Sequence, residues 1–186
     1  MKLNMNNIDI LFLIKYLLRY KTYRLLNVYE LDSKTIILKL TDKNEKIFIQ
    51  MKSGYNVFAI STKNKDCPLI PGSFCAKLRK HLNNKRLENI EQYGLDRIID
   101  FHFGEGKHCY HLILELYSNG NIILTDNSYN ILHLLRRYIG VSSSFILKVN
   151  NIYPVEKFKK LKFNEYSKND FIDYLRHFKI DDKKKT

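Results

Sequence analysis

Asn119-Gly120 stands between two apolar runs, Leu112 to Tyr117 and Asn121 to Thr125. Both residues tolerate positive φ, and the pair favours the type I′ turn whose twist matches two antiparallel strands. A hairpin is therefore expected here, and the sequence around it extends the same pattern. Arg86 to Gln92 and Asp96 to Phe103 read as strands, and Gly104-Glu105-Gly106 reads as a tight reversal into Cys109 to Tyr117. Asp126-Asn127-Ser128 leads into a further strand from Tyr129 to Leu135, closed by Arg136-Arg137. Upstream, extended segments at about 24–31, 34–41, 45–51 and 55–61 are separated by Asp32-Ser33, Asp42-Lys43-Asn44 and Ser53-Gly54. Those separators are turn chemistry, so the first half reads as a meander of short antiparallel strands.

Helices frame the strands. Residues 6–20 read as one, and Pro71-Gly72-Ser73 supplies the start of another with Ser73 as N-cap. Phe74, Leu78 and Leu82 then form a buried stripe, which leaves Lys77, Lys80 and Asn84 on a different side. Asp66 to Gly72 connects the first meander to this helix. Tyr153-Pro154 marks the end of the β-rich body, because proline cannot donate to a ladder. Beyond it, Ser167 with Asp170 precedes Phe171, Tyr174, Leu175 and Phe178 at helical spacing. The expectation is an α+β chain: an antiparallel β-sandwich-like domain with flanking helices over 1–155, a basic linker with a short helix over 156–180, and a disordered tail at 181–186. With 45% hydrophobic residues, 186 residues suffice for a real core.

Charge narrows the partners. There are 32 Lys plus Arg against 19 Asp plus Glu, a formal charge of +13, and such a field attracts RNA, DNA or anionic membrane surfaces. Nucleic acid is the first choice; the alternative is drift toward Lys, Asn, Ile and Tyr in an A+T-rich genome. Clustering favours the first, since Lys77, Arg79, Lys80, His81, Lys85 and Arg86 fall within ten residues. A second cluster, Lys157, Lys159, Lys160, Lys162 and Lys183 to Lys185, reads as linker and tail. The run from Ile8 to Leu18 is interrupted by Asp9 and Lys15 and is too short to span a bilayer. It is also a poor signal peptide. Cys67, Cys75 and Cys109 form an odd set without a CxxC pair, as expected where thiols stay reduced, so a cytoplasmic protein with no membrane partner is expected.

Several residues suggest site chemistry. His102, His108, Cys109 and His111 are close in sequence, but His108 and His111 would point to opposite faces of a strand, and no metal is expected. Cys67 and Cys75 read as small core residues. No phosphate cradle or nucleophile elbow occurs, and Asp96 with Asp100 could share a strand face without implying catalysis. Arg97 alternates with Leu95, Ile99, Phe101 and Phe103 on the face that should be buried, where a charge needs a partner or an opening. The other reading starts the strand one residue later, leaving Asp96-Arg97 in the turn at Gly94. Asp9 suits the first turn of a helix through the dipole alone.

These segments converge on a family. The run PGSFCAKLRKHL from Pro71 to Leu82, Lys85-Arg86-Leu87, GLDRIIDFHFG from Gly94 to Gly104 and YHLILELYSNGNIILTD from Tyr110 to Asp126 resemble the N-terminal domain of the NFACT family. Asn6-Asn7-Ile8-Asp9 and Tyr153-Pro154 extend the resemblance, which covers roughly residues 5–155. It implies a fold similar to the N-terminal domain of the formamidopyrimidine-DNA glycosylases. It also implies binding to a stalled large (60S) ribosomal subunit, its ribosomal RNA and tRNA, in quality control of stalled nascent chains. Asp9, Asp96 and Arg97 correspond to the family's tRNA-engaging residues. Lys77, Arg79, Lys80, Lys85, Arg86, Arg136 and Arg137 are the expected RNA backbone contacts. No cofactor and no catalytic residue is expected: the glycosylases use an N-terminal proline, and this chain begins Met1-Lys2-Leu3. The family's later regions do not fit after Tyr153, so tailing and recruitment of a ubiquitin ligase lie outside what residues 1–155 are expected to do. The alternatives are a reduced stand-alone ribosome-binding factor that has lost tailing and, remotely, a glycosylase-like enzyme.

Overall fold

Two meanders build two sheets, and the chain completes the first before starting the second. The computed structural model describes residues 4–43, 45–60, 70–139 and 146–157. Among these, helix α1 (Asn7–Leu17) runs into a 3-10 turn (Leu18–Tyr20), followed by β1 (Arg24–Asp32), β2 (Thr35–Thr41), β3 (Lys46–Lys52) and β4 (Asn56–Ile60). Helix α2 (Ser73–Leu82) leads to β5 (Leu87–Gln92), β6 (Ile98–Phe103), β7 (Tyr110–Glu115), β8 (Asn121–Asp126) and β9 (Ile131–Leu134). The sheets are antiparallel, in the orders β1-β2-β3-β4 and β5-β6-β7-β8-β9, and a two-strand ladder joins β10 (Tyr138–Ile139) to β11 (Ile146–Leu147). This is the expected α+β architecture. No helix among the described residues is long and apolar enough to cross a membrane.

The alternation of side chains along the strands assigns the core. Ile36, Leu38 and Leu40 of β2 meet Ile99, Phe101 and Phe103 of β6 and Leu112 and Leu114 of β7 in one cluster, so both sheets share a hydrophobic layer. The helices close it, α1 with Ile10, Ile14 and Leu17 and α2 with Phe74, Cys75, Leu78 and Leu82. Each such side chain contributes roughly 1.5–3 kcal/mol by leaving water. Cys75 is the core residue the sequence led us to expect, its thiol 3.4 Å from the Val28 carbonyl. The far face of the second sheet carries a smaller cluster of Tyr93, Ile98, Ile113, Ile123, Ile131, Leu134, Leu147 and Tyr153.

Four expectations need correction. The N-cap of α2 is Gly72, not Ser73, and it makes no side-chain cap bond; its N–H instead donates to Glu30 Oε2 at 3.0 Å, which fixes where the helix can begin. The hairpin at Asn119-Gly120 exists, but positive φ falls on Ser118 (53°) and Gly120 (63°) rather than on Asn119. Gly120 N–H donates to the Tyr117 carbonyl at 2.8 Å; a positive φ at the first central residue alone is the II′ pattern. Gly120 is needed for packing as well, because a Cβ there would collide with the backbone of Gly54, where the β3–β4 turn meets the hairpin tip. Strand β6 begins at Ile98, so Leu95 is not on the buried face but 52% exposed. Asp96 and Asp100 share no face: Asp96 is exposed and Asp100 wholly buried. Residues 61–69 with Cys67, the lysines beyond Lys157, the helix expected after Ser167 and the tail at 181–186 lie outside the described residues.

Candidate nucleic-acid interface

Helix α1 starts with a reciprocal capping box. Asn6 Oδ1 accepts from the Asp9 N–H at 2.9 Å, and Asp9 Oδ2 accepts from the Asn6 N–H at 2.8 Å. Such boxes satisfy two of the donors a helix start leaves over, so Asp9 has a structural duty in the first turn. Beside it, Met5, Asp9, Phe12, Leu13, Asn56, Val57 and Phe58 line an open groove of about 350 Å³.

The Asp96-Arg97 pair sits on a turn closed by backbone hydrogen bonds. Gly94 takes φ 56°; Tyr93 N–H donates to the Ile98 carbonyl at 3.1 Å and Asp96 N–H to the Tyr93 carbonyl at 2.9 Å. Asp96 Oδ1 accepts from the Arg97 N–H at 2.7 Å, and the Arg97 carbonyl accepts from Leu116 N–H at 2.8 Å. The Arg97 guanidinium, by contrast, is half-exposed and makes no hydrogen bond or ion pair with any described residue. A rigid backbone presenting an unengaged planar fork of donors is suited to a phosphate or a base edge.

Gln92 brings the two places together. Its side-chain Nε2 donates to the Asp96 carbonyl at 2.9 Å and approaches the Asn7 carbonyl at 3.5 Å, so one amide spans the Asp96 turn and the first turn of α1. Sequence reasoning missed it, since a glutamine in a strand carries no local signal of a strut.

The basic residues divide into engaged and available. Arg79 Nε donates to the Val28 carbonyl at 2.8 Å, Arg136 Nη2 to the Gly120 carbonyl at 2.7 Å, and Arg86 lies 3.8 Å from Glu88. These three also hold α2 on β1, the hairpin tip and β5 in place. Lys77, Lys80 and Arg137 are exposed, and Lys85 lies 5.4 Å over the Tyr110 ring. His81 packs on the same ring at 5.3 Å, and His133 packs on Phe74 at 5.6 Å. Burial, then Lys80 and Lys77, hold the His81 imidazole below its usual value; burial, then Lys77 and Arg137, do the same to His133. Lys77 and Arg137 thus belong to one patch, although they stand 60 positions apart in the sequence. Tyr110 and His133 were not singled out from sequence, because their membership depends on strands distant from α2. Basic side chains interleaved with aromatic rings are what single-stranded and looped nucleic acid requires.

The model of the NFACT N-terminal and middle domains matches residues 17–186. The chain belongs to the NFACT family. It is 37% identical over 95% of its length to the ribosome quality control complex subunit NEMF homolog of Drosophila melanogaster and covers 18% of that protein. It is 31% identical over 95% of its length to ribosome quality control complex subunit 2 of Saccharomyces cerevisiae, covering 17% of it. The archaeal Rqc2 homolog aRqcH of Methanocaldococcus jannaschii is 30% identical over 86% of this chain, which covers 23% of that protein. The chain thus spans less than a quarter of the length of these NFACT relatives. The N-terminal domain of the fibronectin-binding protein PavA from Streptococcus pneumoniae superposes with a TM-score of 0.72 at 17% identity, covering 92% of this chain and 68% of that one. That likeness concerns the fold.

Proposed function

We propose that this NFACT-family chain is a cytoplasmic RNA-binding module that engages tRNA on the large ribosomal subunit, contacts ribosomal RNA, and acts in quality control of stalled nascent chains by binding rather than by catalysis. The observation that carries the reading is Arg97: its backbone is locked in a closed turn, while its guanidinium has no partner among the described residues. Asp96 flanks it, Asp9 lies across the Gln92 strut, and Lys77, Lys80, Lys85 and Arg137 supply a sequence-independent phosphate attraction. The family's relatives are ribosome quality control subunits, which supports the ribosome as the setting.

The test is Arg97→Ala, measured for tRNA binding on filters and for co-sedimentation with 60S subunits with and without peptidyl-tRNA. The variant is expected to melt within a degree or two of the parent and to bind tRNA about 1–3 kcal/mol more weakly. A strongly destabilised variant whose folded fraction binds normally would remove the assignment.

A further inference from the structure

The far face of the second sheet carries a cluster that the RNA reading does not use. His102 and His111 are directly paired across β6 and β7, so their side chains leave the same face. Asp100, two residues before His102 on β6, points the same way. The pairing differs from the one weighed in the sequence: exposed His108 is on a 3-10 turn, and His102 is the partner of His111.

The geometry points to a binding site for one divalent transition-metal ion of the zinc class, held by Asp100, His102 and His111. One ligand atom from each lies within 4.8 Å of the other two. His102 Nε2 is 3.1 Å and His111 Nδ1 3.0 Å from Asp100 Oδ2. Ligands bonded at about 2.0–2.1 Å around a tetrahedral ion stand about 3.4 Å apart, so small outward shifts of these atoms would admit one.

The supporting contacts are those a metal site requires. The Tyr93 hydroxyl donates to Asp100 Oδ2 at 2.5 Å and Tyr129 at 3.3 Å, which orients the carboxylate, and the Tyr129 ring stacks on His111 at 4.2 Å, which fixes the imidazole. A second observation argues against a purely hydrogen-bonded hub. His102 Nε2 is buried, yet despite its closeness to Asp100 and to Glu91 Oε1 at 3.5 Å, its N–H is aimed at neither well enough to form a hydrogen bond. Once it gives up its proton, Nε2 is free to ligate, and an ion seated between it and the Asp100 carboxylate would supply the well-aligned partner that the hydrogen-bond geometry does not. Two imidazoles with one carboxylate select Zn²⁺, Co²⁺ or Fe²⁺ over Mg²⁺ and Ca²⁺, which prefer oxygen alone. A bound ion would cross-link β6 to β7 on the face opposite the main core.

The full chain, stripped with chelator and dialysed, should be titrated with Zn²⁺ by calorimetry and with Co²⁺ by visible absorption, with Mg²⁺ as control. One equivalent of Zn²⁺ or Co²⁺ should bind, Co²⁺ should develop ligand-field bands, and the melting temperature should rise with either ion. His102→Gln, at the partly exposed rim, should weaken binding at least tenfold, whereas His108→Gln should leave it unchanged. Less than about a tenth of an equivalent bound to the parent would overturn the site and leave a carboxylate–imidazole network. Full binding that survives both His102→Gln and His111→Gln would overturn it equally.

Discussion

Asp96-Arg97 and Asp100 are separated by two residues, and their surroundings are opposite. The first pair stands on an exposed turn with the guanidinium unengaged among the described residues; the second carboxylate is wholly buried and receives Tyr93, Tyr129 and His111. Burial alone would raise the Asp100 pKa, but His102 and His111 bring it down to about 2. Burial would likewise lower His102, and the Asp100 and Glu91 carboxylates beside it take it up to about 9. Charge in a strand register therefore says little by itself. What separates a recognition group from a structural one is whether its hydrogen-bonding capacity is already used.

Removing a member of the buried cluster should have the largest effect. Asp100→Asn takes the countercharge from His102 and a carboxylate acceptor from His111, and breaking a buried pair costs about 3–5 kcal/mol. Urea unfolding should report a loss of that order, with tRNA affinity of the folded fraction unchanged. A loss under about 1 kcal/mol would erase the contrast with Arg97.

That contrast was only partly legible in the sequence. The meanders and the helix stripes could be read because alternation and the Phe74-Leu78-Leu82 spacing are local signals that tertiary packing then reinforced. Arg97 was ambiguous because a strand's first residue is fixed by its closing hydrogen bonds, here Tyr93 to Ile98, rather than by alternation. Sequence spacing sets His111 against its neighbour His108, whereas its partner across the ladder is His102. Gln92, Tyr110 and His133 acquire their roles from residues brought close only by folding.

The exposed charges should behave as a class apart from the buried ones. Replacing Lys77 and Lys80 together by Ala should leave the melting curve where it is and flatten the dependence of log affinity on log salt by about 0.7–0.9 per lost phosphate contact. Filter binding of tRNA across a salt series reads this directly. An unchanged slope would move the phosphate track toward Arg136 and Arg137.

Gln92 lies between the two classes, since it is structural in its contacts and sits beside the recognition residues. Gln92→Leu keeps the volume and removes the donor to the Asp96 carbonyl, which should cost about 0.5–1.5 kcal/mol of stability. If the strut also positions the turn, tRNA affinity should fall as well, although the substituted side chain would touch no RNA. Normal affinity with reduced stability would assign Gln92 to the fold alone.

The smallest expected effect is a pH dependence carried by His81 and His133. Both are held below the usual histidine value near 6.5, His81 by burial with Lys80 and Lys77 and His133 by burial with Lys77 and Arg137. Tyr110 packs on the first and Phe74 on the second, and neither brings a compensating charge. As pH falls through about 6.5, the unfolded chain takes up protons that these folded imidazoles still refuse, so the RNA-free protein should lose stability toward acid. RNA reverses the sign for binding. Phosphates neutralise Lys77, Lys80 and Arg137, the imidazoles then accept protons in the complex, and tRNA affinity should rise as pH is lowered from about 7.5 to about 5.5. The rise should shrink in His81→Gln and vanish in the double variant with His133→Gln, measured at constant ionic strength. A profile equally steep in the double variant would mean that the bound RNA does not lie over α2 and β9.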